Sequence, residues 1–338
     1  MYKNLIIYLF SGTGNSLTAS RWISENANTK GVETEIIPIE GIKEIKTDNI
    51  NSNTLLGFCF ATHGFCAPWI MIKFLFRFPK TVNTNIFLLN TRGGFKFFKF
   101  HIPGLSGTAL FLPMLILRLK GYRTVGLLPL DMPHSWISFF PPNNSKATNS
   151  IIVNCKKLVD KFSSKILSGN KFFRPQIWFT LLIDISIIPI TILYLIFARF
   201  MLAKTLYSSY NCNSCRLCEK NCPVNAIKVI DNRMFWKYNC ESCMRCLDIC
   251  PQKAIQSNLT RISIIHYFLF YFLLLYVYIN EYVVNWILAP IVFLILYWLL
   301  FWALRFKPFN MFITYTSMSK YWRRYIASGV KIKDFKKP

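Results

Sequence analysis

Residues 5–16 of the 338-residue chain read LIIYLFSGTGNS, a short apolar run followed at once by a glycine-rich turn. A run of β-branched and aromatic residues that ends at Gly and Ser is typical of a buried strand. The next residues, LTASRWISENA at 17–27, are predicted to form a helix. The stretch therefore predicts a strand, a tight turn and a helix in direct succession, which is the opening unit of an α/β domain.

The same alternation continues through the first half of the chain. Further apolar, β-branched runs lie at 32–39, 55–61, 86–90 and 124–130, with helical stretches between them. A helix from 146 to 167, ended by SGN at 168–170, is expected to close this part. The rhythm predicts one α/β domain over residues 1–170, with βαβ units around a doubly wound parallel sheet.

The second half contains one cysteine pattern twice. The spacing Cys-x2-Cys-x2-Cys-x3-Cys-Pro begins at Cys212 and again at Cys240. In such a pair of cassettes, three closely spaced thiolates hold one iron–sulfur cluster, and the fourth cysteine ligates the other cluster. The expected ligand sets are Cys212, Cys215, Cys218 and Cys250 for one 4Fe–4S cluster, and Cys240, Cys243, Cys246 and Cys222 for the other.

Zinc is the alternative for paired CxxC elements. A zinc site needs four ligands, which leaves the third and fourth cysteines of each cassette without a role. The first residues do not have the architecture of a cleavable signal peptide, so we expect metal in a reducing compartment rather than disulfides. Cys59, Cys66 and Cys155 lie outside the cassettes and are interpreted as ordinary thiols.

Residues 208–258 closely resemble bacterial two-cluster ferredoxins. A similar segment follows each cassette, PVNAIKV at 223–229 and PQKAIQS at 251–257, as in the two related halves of those small α+β proteins. The resemblance implies two 4Fe–4S clusters and a role in electron transfer.

The turn SGTGNS at 11–16 offers a set of groups that suit a phosphate. Backbone N–H groups at the start of the following helix, with the side chains of Ser11, Thr13, Asn15 and Ser16, would surround the anion. Gly14 allows the backbone to approach the anion closely. From these residues alone, a nucleotide site and a mere tight turn both remain open.

In its context, after the first strand of an α/β domain, the turn resembles the phosphate loop of flavodoxins. The resemblance implies FMN, bound at the carboxyl ends of a sheet with strand order 2-1-3-4-5. It also implies two loops that contact the flavin ring. One loop follows the third strand and contains Thr62, His63, Gly64 and Phe65, and the other follows the fourth strand and contains Thr91, Arg92, Gly93 and Gly94.

Two residues of these loops are candidates for a chemical role. His63 is interpreted as a structural or merely contacting histidine, and donation of a proton at the ring is the alternative. Arg92 departs from ordinary flavodoxins and would stabilise an anionic reduced flavin from its N1 edge, or else it is a solvated loop arginine. No Ser-His-Asp arrangement or carboxylate pair stands out, so hydrolytic chemistry has no support from the sequence.

The order of the predicted domains resembles that of fused flavodoxin and ferredoxin proteins, some of which are attached to membranes. The likeness spans residues 1–258 and includes IPGLSG, KGY and DMPHSWISFFPP in the first domain. It implies electron transfer and both kinds of cofactor, and it leaves the substrate open.

Composition and two long apolar runs indicate a membrane protein. Hydrophobic residues make up 53% of the chain and charged residues 16%, against a charged share of about 25% in ordinary soluble domains. After Arg261, two apolar runs of about 18 to 23 residues flank the polar NEYVVN, and each is long enough to cross a bilayer core of ~30 Å. These runs predict a C-terminal transmembrane helical hairpin at 259–304.

The distribution of basic residues sets the expected orientation. The net charge is +25, and the tail at 305–338 has nine Lys and Arg with one acid, whereas the hairpin tip has Glu281 and no basic residue. By the positive-inside rule, the tail and the cysteine domain lie on the cytoplasmic side of the cell membrane. No nucleic-acid-binding signature is present, so the charge indicates anionic membrane lipid and no nucleic acid as partner.

An apolar linker at 171–207 joins the two domains and contains Asp184 and Pro189. A single crossing would place the domains on opposite faces of the membrane. We therefore expect an interfacial or shallow re-entrant segment that turns at Pro189, with Asp184 facing protein or water. A helix buried between the domains is the alternative.

The stretches after both ring-contacting loops, WIMIKFLFRF and GLSGTALFLPMLILRLKGY, are apolar nearly all round. They would lie on a bilayer and direct the flavin toward the membrane, and packing against the linker or the hairpin is the alternative. One hypothesis is an oxidoreductase whose FMN acts on a quinone or an unsaturated lipid, while the clusters relay electrons from a cytosolic donor. The alternative is an electron-transfer module without its own substrate, which serves a separate and acidic redox protein.

Overall fold

The structure is a computed structural model that describes residues 2–45, 50–51, 53–97, 100–138, 140–258, 295 and 297–335. Most of the predicted transmembrane hairpin, 259–294 and 296, lies outside these residues. Residues 297–303 near its end are helical. Taken singly, none of the described helices is long and apolar enough to cross a membrane.

The first domain is built on a mixed sheet that is parallel except for one short strand. Its strands are β1 (Asn4–Leu9), β2 (Glu33–Pro38), β3 (Thr54–Ala61), β4 (Asn85–Phe97), β5 (Phe100–Ile102), β6 (Arg123–Pro133) and β7 (Phe172–Phe173). The parallel strands lie in the order β2-β1-β3-β4-β6-β7, and β5 pairs antiparallel with β4. Without the short strands β5 and β7, five parallel strands remain, and β6 is the fifth of them along the chain. Their order is the doubly wound order 2-1-3-4-5, so the prediction of a flavodoxin-like sheet is confirmed.

Four helices cover the two faces of this sheet. They are α1 (Asn15–Asn28), α2 (Trp69–Arg77), α3 (Phe111–Leu119) and α4 (Ser145–Leu167). Successive strand residues point to opposite faces, so Ile7 packs with α1 and α4 whereas Tyr8 packs with α2 and α3. Both faces are buried, which is why the strands are apolar without alternation.

Helix α4 confirms the predicted helix that closes the domain. The Asn144 side chain accepts a hydrogen bond of 2.8 Å from the backbone N–H of Ala147 and so caps the first turn. Gly169 follows the helix with a φ of 82°, a left-handed conformation that favours glycine. Strand β7 comes directly afterwards and was not predicted, because two residues are too few to give a periodic pattern.

The second predicted ring-contacting loop is part of a strand. Residues 91–94 continue β4, which pairs with β6 as far as Gly94 opposite Pro133. The expectation of a loop after residue 90 was therefore wrong. Strand β6 also extends three residues past the predicted end at 130. Its residues 131–133 pair with residues 92–94 of β4.

The linker folds into helices that bend sharply. Helix α5 (Gln176–Ser186) is followed by α6 (Ile188–Leu193), a π-helical turn (Tyr194–Ala198) and α7 (Arg199–Ala203). The two halves, Gln176–Ser186 and Ile188–Ala203, meet at 65° and together have the length and composition of a broken membrane span or a re-entrant loop. The bend lies at Ile187, two residues before the predicted turn at Pro189.

Asp184 attaches this bent helix pair to the first domain. The carboxylate is 3% exposed, and it accepts hydrogen bonds from the backbone N–H of Gly107 at 2.7 Å and from the Thr180 hydroxyl at 2.9 Å. The expectation that Asp184 faces protein is confirmed. Since Asp184 is a buried carboxylate within an apolar segment, its position is determined by the donors that it contacts.

Replacing Asp184 by Ala is expected to lower the free energy of unfolding by about 2–3 kcal/mol, because two donors lose their acceptor in a buried position. Asp184→Asn keeps an acceptor oxygen of the same size and should lose less. Chemical denaturation followed by tryptophan fluorescence measures both variants. Equal stability of the Ala variant and the natural protein would show that the contact does not hold the linker.

The cysteine domain is a small α+β unit of two antiparallel strand pairs. It contains β8 (Leu206–Ser208), α8 (Leu217–Lys220), β9 (Ile227–Ile230), β10 (Arg233–Trp236), α9 (Arg245–Asp248) and β11 (Ile255–Ser257). Strand β9 pairs with β10, and β8 pairs with β11. The strands predicted after the two cassettes are β9 and β11, so this part of the prediction is confirmed.

The C-terminal residues pack on both domains. Helix α10 (Lys307–Tyr315) lies beside the cysteine domain, where the Asn310 amide donates to the Ser208 carbonyl at 3.2 Å. Further along, Tyr325, Ala327 and Phe335 are all buried. Although the tail is strongly basic, a large part of it is an ordered element of the fold.

Candidate cofactor sites

The backbone of the first cysteine cassette is repeated in the second. Left-handed conformations occur at Ser214, Arg216 and Asn225, and they recur 28 residues later at Ser242, Met244 and Lys253. Successive left-handed and right-handed residues turn their N–H groups toward one side of the chain and form a concavity for anions. Both cassettes thus have the loop shape that suits a negatively charged cluster.

Two cavities are each lined by four of the cassette cysteines. The first, here called the first cysteine site, has Cys212, Cys215, Cys218 and Cys250 in its wall. The second cysteine site has Cys222, Cys240, Cys243 and Cys246. Each site therefore takes three cysteines from one cassette and the fourth cysteine from the other.

The thiols of these sites suit a polynuclear iron centre. Burial raises the pKa of the Cys218 thiol to about 12, so a thiolate there needs a positive metal centre beside it. Backbone N–H groups of Ala226 and Ala254 donate to the sulfurs of Cys222 and Cys250 at 3.2 and 3.3 Å. Hydrogen bonds to sulfur of this kind tune the potential of iron–sulfur clusters.

Each cysteine site has the donors that a 4Fe–4S cluster needs, because four cysteines line one cavity. A 4Fe–4S cubane spreads its four thiolates over four iron atoms. Within the part of the chain that the structure describes, no three His, Cys, Asp or Glu side chains are grouped so that they would hold a single metal ion.

The phosphate loop leads into helix α1 through a glycine. Gly14 has a φ of 100° and no side chain to cap the helix, and the Leu17 N–H in the first turn donates to the Ser11 hydroxyl at 3.4 Å. The Ser11 hydroxyl lies inside the loop and accepts from the Gly14 N–H at 3.1 Å, and the Ser16 hydroxyl contacts that of Thr91 at 2.9 Å. Hydroxyls and N–H groups at a helix N-terminus fit a phosphate.

The first predicted ring-contacting segment forms a tight turn. Backbone hydrogen bonds join His63 and Cys66 in both directions, at 2.9 and 3.0 Å, and Gly64 and Phe65 between them have positive φ. A side chain at Gly64 would collide with the Tyr194 ring of the linker. The linker therefore covers the segment predicted to contact the flavin.

His63 is neutral at physiological pH in this structure. Burial lowers the pKa of its imidazole to about 4, despite a hydrogen bond to the backbone of Glu241. The ring meets that of Phe10 edge to face, with 6.0 Å between their centroids. These contacts favour a structural or contacting histidine over a resident imidazolium that donates a proton.

Arg92 is neither solvated nor free. Its side chain is 2% exposed and pairs with Asp131 at 2.7 Å, while its Nη1 donates to the Ser106 hydroxyl at 2.9 Å. The alternative of a solvated loop arginine was wrong, because β4 continues through this residue and turns it into the protein. The guanidinium is thus engaged by Asp131 and Ser106 within the protein.

The second cysteine site lies directly against the phosphate loop. A side chain at Gly12 would collide with the backbone carbonyl of Cys243, so glycine is needed for this approach. Arg245, 1% exposed, donates to the carbonyls of Ser11 at 2.7 Å and Gly12 at 3.2 Å and pairs with both oxygens of Glu40. One buried guanidinium thus joins the two domains at the phosphate loop.

Glu241 makes a second contact between the domains. Its carboxylate accepts from the Trp69 N–H at 3.0 Å, at the start of α2, where the helix dipole favours a negative charge. Burial nevertheless raises the pKa of this carboxyl to about 7. The residue lies between two predicted cluster ligands and reaches the segment that follows the ring-contacting turn.

Sequence reasoning did not identify Arg245, Glu241 or Glu40 as junction residues. A signal was present for the first two, since the cassettes repeat at 28 residues and these positions break the repeat. Leu217 in the first cassette corresponds to Arg245 in the second, and Asn213 corresponds to Glu241. A charge that replaces a neutral residue in one copy of a buried repeat indicates a partner specific to that copy.

Comparisons with known proteins match the two halves of the chain separately. Residues 211–255 match the family described as a 4Fe-4S dicluster domain. Among solved structures, the chain is similar to a flavodoxin from the domain Archaea, with 16% identity, 48% of this chain and 97% of that chain covered, and a TM-score of 0.30. No curated protein matches the sequence.

Two further solved structures are similar over the same half of the chain. They are the two-electron reduced flavodoxin of Megasphaera elsdenii, with 14% identity, 47% and 98% coverage and a TM-score of 0.31, and the Trp repressor binding protein from Bacillus subtilis, with 14% identity, 47% and 97% coverage and a TM-score of 0.32. The strand order is that of a flavodoxin-like fold, and residues 211–255 match a 4Fe-4S dicluster domain.

Proposed function

We propose that this chain is a membrane-bound protein in which FMN and two 4Fe–4S clusters transfer electrons between a cytosolic donor and a lipophilic substrate, a quinone or an unsaturated lipid. The observation that supports this most directly is the contact between Cys243 of the second cysteine site and Gly12 of the phosphate loop. The second cysteine site and the phosphate loop are in direct contact, so cofactors bound there would be close enough to exchange electrons within one chain.

The residues that would hold the cofactors follow from the geometry. The two cysteine sites would each hold one cluster, and the phosphate loop with the 62–65 turn would hold FMN. When bound, these groups supply one-electron exchange at the clusters and collection of two electrons at the flavin. Arg245 and Glu40 keep the second site against the loop, and the Tyr194 ring packs on the turn at Gly64.

The first cysteine site is the place where a soluble donor would dock. Cys215 is exposed, and Arg216, Lys220 and Lys253 beside the ligand cysteines are exposed as well. Positive charge around an exposed redox site steers an acidic protein to it. An acidic redox protein on the cytoplasmic side is therefore the proposed donor or acceptor.

The outer surface of the bent linker is the proposed contact with lipid. Its inner residues Ile177 and Leu195 pack on the core beneath α2 and α3, whereas the outer side chains of Phe179 and Leu182 are 84% and 80% exposed. A large exposed apolar surface marks an interaction site. The net charge of +25 and the apolar runs at 259–304 favour an anionic bilayer as its occupant.

The alternative is an electron-transfer module without its own small-molecule substrate. The exposed basic residues at the first cysteine site suit a protein partner in this proposal as well. The two proposals differ only in what exchanges electrons with FMN.

The test uses the full chain with its cofactors, prepared anaerobically. About eight irons per chain are expected for two four-iron clusters, together with one flavin. The reduced protein is then mixed with vesicles that contain a quinone, and the flavin absorbance is followed, with quinone-free vesicles as the control. Reoxidation that depends on the quinone supports the lipophilic substrate, and a flavin that stays reduced in the loaded protein would overturn a quinone as that substrate.

A further inference from the structure

The last described residues, 321–335, lie over the phosphate loop, and we call them the C-terminal strap. The backbone N–H of Ala327 donates to the Thr13 carbonyl at 2.9 Å. A side chain at Gly14 would meet Ala327 and Val330 within about 3 Å. The strap therefore touches the loop at the glycine that begins α1.

A second set of contacts fixes the strap to helix α1. The Arg21 guanidinium pairs with Asp334 at 2.9 Å and donates to the Gly329 carbonyl at 3.3 Å. Asp334 also accepts from the Lys331 N–H at 2.9 Å, so the chain end is folded back on itself. These contacts lie one to two turns along the helix that the phosphate loop precedes.

Tyr325 is a buried residue of the strap that contacts the loop through its side chain. It is 4% exposed, and its hydroxyl donates to Asn15 Oδ1 at 2.7 Å. The other end of the same amide, Asn15 Nδ2, donates to the Pro133 carbonyl at 2.9 Å. Both ends of the Asn15 side chain are thus held, and the orientation of the first residue of α1 is fixed.

The strap is joined to the second cysteine cassette as well. The Tyr325 N–H donates to Asp248 Oδ1 at 3.0 Å. The Arg245 guanidinium, which binds the loop carbonyls, lies 4.3 Å from the centroid of the Phe335 ring. The phosphate loop is therefore enclosed on one side by the cysteine site and on the other by the strap, and Ser11, Thr13 and Ser16 are all buried.

We infer that the C-terminal strap is part of the FMN phosphate site, that it retains the bound cofactor, and that Tyr325 is the residue that positions Asn15 for it. The inference rests on the proposed binding of FMN. An anion in a loop shielded from water interacts more strongly with N–H groups and hydroxyls than at an open surface. The strap must also move before the cofactor leaves, so its main effect is on the rate of dissociation.

The test compares Tyr325→Phe with Tyr321→Phe in the full chain with its clusters. Tyr321 lies in the same strap but is 62% exposed, and its hydroxyl donates to Tyr315 away from the loop. FMN affinity is measured by quenching of flavin fluorescence, and the release rate by dilution into an apoflavodoxin trap. Tyr325→Phe should weaken FMN binding roughly tenfold, whereas Tyr321→Phe should leave it within about twofold of the natural protein.

A chain that ends at Lys320 removes the whole strap and should bind FMN roughly 100-fold more weakly, with the loss mainly in the release rate. Iron content and the cluster absorbance verify that the shortened chain still holds its clusters. If the clusters are lost, the comparison of Tyr325→Phe with Tyr321→Phe tests the inference by itself. Natural affinity in Tyr325→Phe would overturn the role of Tyr325 and of the strap. A natural protein that binds no FMN would instead overturn the proposed function.

Discussion

Replacing Cys222 by Ser is expected to abolish the cluster of the second cassette, although Cys222 belongs to the first cassette in sequence. Cys222 lines the same cavity as Cys240, Cys243 and Cys246. Loss of one thiolate from a four-cysteine set removes the cluster, so iron should fall from about eight to about four atoms per chain. Iron analysis and electron paramagnetic resonance of the reduced protein measure the loss.

Two double variants distinguish shared sites from separate ones. Cys222→Ser with Cys240→Ser damages one site twice, so about four irons should remain. Cys222→Ser with Cys212→Ser damages both sites, so almost no iron should remain. Cys155→Ser is the control, since its thiol is buried beside Asp131 outside both sites. The reverse result, with about four irons in the Cys222/Cys212 variant and almost none in the Cys222/Cys240 variant, would refute the exchange of the fourth cysteine between cassettes.

Arg245→Met is expected to lower the free energy of unfolding by about 3–5 kcal/mol, because it leaves the Glu40 carboxylate and two loop carbonyls without their buried partner. The loss should be accompanied by weaker FMN binding, since the same guanidinium positions the phosphate loop. Chemical denaturation followed by tryptophan fluorescence gives the stability, and flavin fluorescence gives the affinity.

The matched control is Arg216→Met in the first cassette. Arg216 pairs with Glu219 at 2.9 Å, but its side chain is 56% exposed. An exposed ion pair contributes about 0–1 kcal/mol, so this variant should be nearly as stable as the natural protein. Similar losses in the two variants would mean that the junction between the domains does not depend on Arg245.

Regular patterns in the sequence were sufficient for the α/β domain. The strand β1, the glycine turn and helix α1 follow one another within 25 residues, and each is specified by neighbours along the chain. The same is true of the cassettes, whose loops repeat the same left-handed residues at an interval of 28. Local spacing determines local backbone shape, so these features were predictable.

Residues 91–94 and Arg92 show where this reasoning fails. Their residue types, Thr-Arg-Gly-Gly, suggest a loop, but pairing with β6 as far as Pro133 extends the strand. The partner of Arg92 is Asp131, 39 residues away. No local pattern reports such a pairing, because β propensity depends on which strand lies alongside.

The sequence by itself determined the parts of this protein that depend on short-range order: the sheet and its helices, the phosphate loop, and the eight cysteines with their two related cassettes. Only the tertiary structure decided how these parts meet. Arg245 on the phosphate loop, the strap over Gly14 and the linker over Gly64 each join residues more than 100 positions apart. Contacts at that separation follow from the packing of whole helices and strands. Packing depends on the shape and burial of side chains in three dimensions, which the amino-acid sequence does not show directly.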